Sequence, residues 1–141
     1  MKAFQATTTI AAAPETIWAL LTNAPGYPEW DPGVERIEGK IAPGEKITAY
    51  TKLSPGRAFP VTVTAFEPSR TMVWASGMPL GLFKGERTFT LAPQGSGSTM
   101  FTLREEFTGL LLGLIGRSIP DMAATFEQFA AGLKRRAERA G

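Results

Sequence analysis

Arg87 and Glu105 are the two charged residues whose positions suggest chemistry. Each stands in a stretch where every second residue is largely apolar: Phe83, Gly85, Arg87, Phe89 and Leu91 share one parity, and Thr99, Phe101, Leu103, Glu105 and Phe107 share another. A hairpin turn centred on Ser96 brings Leu91 opposite Phe101, Phe89 opposite Leu103 and Arg87 opposite Glu105. The register therefore predicts a cross-strand pair of opposite charge on the apolar face. Such a pair can hold a ligand carboxylate or hydroxyl, or supply an acid or base of altered strength. The plainer alternative is a structural ion pair at the wall of the core, and binding is favoured over catalysis.

Other catalytic equipment is sparse. The chain has no cysteine and no histidine, which excludes disulfides, thiol nucleophiles, Cys/His zinc sites and imidazole bases. Tyr27 and Tyr50 are the only phenols. Gly95-Ser96-Gly97 lacks the lysine of a phosphate loop and reads as a hairpin turn. Asp31-Pro32-Gly33 is turn chemistry, because no carboxylates follow at calcium-ligand spacing. No metal and no cofactor is expected.

Three tryptophans can supply apolar contact area. Trp18 adjoins the Ile17/Leu21 stripe of a helix and is expected in the core. Trp74 shares strand parity with Met72 and faces either core or cavity. Trp30 lies in a Pro/Gly-rich turn beside Tyr27, where pocket rim and plain hydrophobic anchor are equally good readings. Near the end of the chain, Met122, Phe126, Phe129 and Leu133 recur in steps of four and three and share one helical face. The candidate ligand wall is thus Trp30 and Trp74, the strand residues Phe89 and Leu103, and Met122, Phe126 and Phe129 of the last helix. Arg87 and Glu105 are its polar anchors.

These residues need a frame. Alternation predicts a strand over 3–11, and Pro14 with Glu15 opens a helix over 14–23. A compact turn follows over 25–32. Strands are then predicted at 34–42, 46–53, 58–67, 71–78, 83–92 and 98–108, punctuated by Pro43-Gly44, Ser54-Pro55-Gly56, Pro68-Ser69, Pro79-Leu80-Gly81 and Gln94-Gly95-Ser96-Gly97. A helix containing Met122 to Leu133 closes the chain, and Leu110–Ile115 forms a separate turn or a kinked lead-in. The class is α+β: a curved antiparallel sheet of about seven strands around a long C-terminal helix, with two short helices after the first strand. Residues 1–141 make one domain.

The apolar loops 78–83 and 110–114 suit a gate, a dimer contact or burial against the first helices. An apolar share of 43% with 20% charged residues describes a folded chain. A net charge of +2 gives no support for nucleic acid, and the cluster Lys134, Arg135, Arg136 and Arg139 reads as a solvated helix end. No apolar run suits a signal peptide or stable membrane insertion, so a cytoplasmic location is expected.

The segments AAPETIWALLTN (12–23), WDP (30–32) and F-x-L-x-E-x-F-x-G (101–109) resemble the START-like superfamily, also called SRPBCC or helix-grip. Within it, the polyketide cyclase/dehydrase branch is the most similar. The resemblance covers essentially the whole chain and implies the helix-grip fold, with the Tyr27–Trp30 turn bordering a cavity. It also implies a small hydrophobic partner: a lipid, a polyketide-like molecule or an isoprenoid, bound by a monomer or homodimer. The alternatives are a cyclase, aromatase or dehydratase acting in the same cavity, for which the missing histidine is a departure, and a protein-interaction module.

Overall fold

The computed structural model describes residues 1–140. Strand β1 (Lys2–Ile10) leads into α1 (Pro14–Leu21), a 3₁₀ turn (Ala24–Gly26) and the single turn of α2 (Tyr27–Trp30). Six strands follow: β2 (Val34–Glu38), β3 (Lys46–Thr51), β4 (Ala58–Glu67), β5 (Thr71–Met78), β6 (Phe83–Pro93) and β7 (Thr99–Thr108). The short α3 (Leu112–Ile115) and a 3₁₀ turn (Gly116–Ser118) precede the long α4 (Ala123–Ala140).

All seven strands form one antiparallel sheet in the order β1-β7-β6-β5-β4-β3-β2. Register shifts between Val34 and Arg36 and between Val63 and Ala65 break the ladder. An extra residue on one strand bends it and increases its twist, so these bulges help curl the sheet into a half-barrel. A curled sheet with one apolar face needs a cover. Helix α4 provides it, burying Phe126, Phe129, Ala130, Leu133 and Ala137.

Polar contacts fix α4 along β1. Lys134 Nζ donates to the Thr9 carbonyl at 2.7 Å and to Glu138 at 2.7 Å, and Glu138 accepts the Ala11 N–H at 2.9 Å. Part of the predicted solvated helix end is therefore a clamp. On the other side Gly132 faces α2, where a Cβ would overlap the Trp30 carbonyl oxygen. Glycine is costly in a helix interior, and here it permits the close approach of another backbone.

The predicted elements are all present, with several ends moved. The strand predicted over 34–42 stops at Glu38, because Gly39 takes φ 104° and turns the chain, although Ile41 remains buried. The last helix starts at Ala123, whose N–H is accepted by Asp121 Oδ1 at 3.0 Å, so Met122 lies just before it. The 110–115 segment is a separate helical turn.

Candidate functional site

The inner face of the sheet places Arg87 opposite Glu105 in the unbroken β6–β7 ladder, with Phe89 opposite Leu103 and Leu91 opposite Phe101. Arg87 Nε and Nη2 both lie 2.8 Å from Glu105 Oε1. The two side chains are only 25% and 13% exposed, against more than a third for both partners of the surface pairs Arg36–Glu38 and Lys84–Glu86. On its other side Arg87 pairs with Trp74 across β5–β6, and its guanidinium stands 5.0 Å from the centre of the Phe126 ring on α4. One cation is thus held by a carboxylate and the face of an aromatic ring.

Two further polar groups feel that cation. Asp31, which ends α2, is buried, and its Oδ1 accepts the Gly33 N–H at 2.9 Å. Burial pushes its carboxyl above the usual carboxylate range; the Gly33 bond and the charges of Arg87 and Lys52 oppose that rise only in part. Tyr27 is fully enclosed and donates to the Leu21 carbonyl at 2.6 Å. Burial first, and the Asp31 charge second, hold its phenol well above the ordinary value, with Arg87 acting the other way. Turn chemistry alone gave no reason to expect this electrostatic link. The only trace in the sequence is an acid placed directly after an apolar aromatic turn.

Aromatic side chains pack against one another between the sheet and α4. Trp30 is 5% exposed, so it is a core anchor and not a rim residue, which corrects that half of the sequence reading. Its ring lies 4.7 Å from Tyr27 and meets Phe129 edge-on at 5.0 Å. Trp74 is buried against Phe89 at 4.7 Å, and Phe129 stacks on Phe101 at 6.0 Å. Phe126 is buried beside Phe4, whereas Met122 is half-exposed at the edge of the core. Trp18 packs on Phe66, as expected of a core residue. Two hollows are open to the outside, one beside Arg135, Glu138 and Arg139 and the other along Arg70–Thr71 and Thr90–Pro93.

The two apolar loops come together at one end of the sheet. Leu110 and Leu111 donate to the carbonyls of Gly81 and Leu82 at 3.1 and 2.8 Å. Leu80, Leu110 and Leu114 remain 78–90% exposed, which removes the burial reading for these side chains. Among the described residues, no group of three or more acidic, His or Cys side chains is arranged to hold a metal ion. No helix among them is long and apolar enough to cross a membrane.

Comparison with known proteins agrees with this architecture. The sequence profile described as polyketide cyclase / dehydrase and lipid transport matches residues 1–138. A Mesorhizobium loti protein of known crystal structure superposes with a TM-score of 0.75 at 22% identity, over 99% of both chains. A START superfamily protein from Mycobacterium smegmatis gives 0.69 at 18% identity, again over 99% of both. Norcoclaurine synthase from Thalictrum flavum, solved as a point mutant in complex with a transition-state analogue, gives 0.71 at 15% identity, over 99% of this chain and 95% of that one. At these identities the likeness is one of fold. No curated protein matches the sequence.

Proposed function

We propose, for a chain that belongs to the polyketide cyclase/dehydrase and lipid transport family, that the grip between sheet and α4 binds a small hydrophobic molecule non-covalently. The observation that carries this reading is the Arg87–Glu105 pair, set on an otherwise apolar face beneath Phe126. Partly burying two charges costs more than packing apolar residues of similar size, so the pair is weak as a device for stability alone. A few convergent polar groups in an apolar lining are what a small-molecule site requires.

The ligand enters between the sheet and α4. Trp30, Trp74, Phe89, Leu103, Phe126 and Phe129 form the wall around it, and Met122 lies at the edge where α4 begins. Lipids, polyketide-like molecules and isoprenoids suit that wall. Native mass spectrometry of protein purified without detergent tests the reading. Co-purified apolar molecules, or saturable uptake of an added one, support it; failure of both overturns it.

A second reading is favoured by Asp31. A buried carboxyl that keeps its proton to higher pH than usual, close to Arg87 and Tyr27, is suited to act as a general acid. The chain then catalyses a cyclisation or dehydration of a bound polyketide-like molecule. Asp31→Asn distinguishes the two readings, since an enzyme loses turnover while a binding protein keeps its affinity.

A further inference from the structure

Nearly every buried polar side chain in this protein has a partner. Tyr27 donates to Leu21, Thr99 donates to the Ala12 carbonyl at 2.8 Å, Asp31 accepts from Gly33, and Arg87 is paired with Glu105. Among the described residues, the buried side-chain nitrogens and oxygens without one are the indole Nε1 atoms of Trp30 and Trp74. Both residues are at least nine-tenths buried, at 5% and 4% exposure. An unmatched buried donor forfeits its hydration, and native interiors tolerate few of them. The edge-on approach of Trp30 to Phe129 offers at most an N–H···π contact, a second-order substitute.

The two indoles occur together. Their rings lie 4.7 and 6.1 Å from the Tyr27 ring, and Trp74 pairs with Arg87 across β5–β6. Indole can donate but not accept, and arginine likewise. The wall of the grip therefore carries two buried donors for which the fold supplies no acceptor.

Resting on the ligand-binding reading above, we infer that the ligand is an apolar molecule bearing carbonyl-type oxygen acceptors, received by the indole N–H groups of Trp30 and Trp74. A pure hydrocarbon leaves both donors unmatched. A ketone, quinone or ester satisfies them without bringing in a charge.

Fluorenone and fluorene test this directly, because they share a ring skeleton and differ by a carbonyl in place of a methylene. Apolar burial alone favours fluorene, the less water-soluble of the two. Titration of the full chain, followed by tryptophan fluorescence and calorimetry, is expected to show fluorenone binding about five- to tenfold more tightly. The infrared carbonyl band of bound fluorenone moves to lower frequency, a readout that needs no variant. Trp30→Phe and Trp74→Phe keep a ring but remove the donor; each is expected to weaken fluorenone more than fluorene and so to narrow the ratio between them. Equal or tighter binding of fluorene, with no band shift, overturns the acceptor inference and leaves the hydrophobic-ligand reading standing. Binding of neither probe overturns the inference together with that reading.

Discussion

Arg87 and Glu105 meet through a single oxygen: two guanidinium nitrogens converge on Glu105 Oε1 at 2.8 Å, under the ring of Phe126. The pair spans β6 and β7 at the point where the inner face changes from Phe89 and Leu103 to Gly85 and Phe107. Removing one partner leaves the other charge partly buried and unmatched. Arg87→Ala and Glu105→Ala are each expected to cost about 2 kcal/mol in urea unfolding, short of the roughly 3–5 kcal/mol seen at full burial. Arg87→Met combined with Glu105→Leu should cost less than either single change. A double variant as unstable as the sum of the singles contradicts this account.

Asp31 gives the stability a pH dependence of unusual sign. Its folded-state carboxyl is raised above the ordinary value of 3.8, so the folded chain keeps a proton that the unfolded chain has released. Stability then falls as pH rises from 3.8 to the raised value, and stays lowered above it. Asp31→Asn keeps an oxygen for the Gly33 N–H and removes the charge. It is expected to flatten the decline that begins above about pH 4 and to raise Tm at neutral pH. A lower Tm at neutral pH means instead that the Arg87 and Lys52 charges outweigh burial.

Tyr27 serves the fold through its hydroxyl as much as its ring. Tyr27→Phe leaves the ring against Trp30 and Phe129 but strands the buried Leu21 carbonyl, an expected loss of about 1–2 kcal/mol. Because the phenol is raised well above 10.0 in the fold, the wild type also loses stability as pH climbs past the ordinary phenol range. The variant should lose most of that alkaline decline, which chemical denaturation at stepped alkaline pH measures.

The sheet was largely legible from strand parity and turn residues, and so was the Arg87–Glu105 register. Both follow from local rules: a period of two, and a Gly/Ser turn whose centre fixes the pairing. The burial of Trp30 and Asp31 was not legible in the same way. It depends on where an irregular turn lies against a helix a hundred residues later, and no periodicity describes that contact. The helix-grip resemblance led to the expectation of a cavity, but the volumes of Trp30, Trp74, Phe89 and Phe129 determine whether the space is open.

Gly132 is the sequence position where that distant contact leaves a mark. An exposed helix interior gains about 1 kcal/mol when glycine becomes alanine. Here the added methyl overlaps the Trp30 carbonyl oxygen and crowds its carbonyl carbon, so α2 and α4 must separate. Backbone is the obstacle, and backbone yields less readily than a side-chain tip. Gly132→Ala is therefore expected to destabilise by about 2 kcal/mol or more, within the range for overpacked cores. Separation also loosens the Trp30–Phe129 contact that closes the interior. The same variant should show red-shifted tryptophan emission and faster uptake of an apolar probe than the wild type. A stabilised variant with unchanged emission rules out so close a packing of α2 on α4.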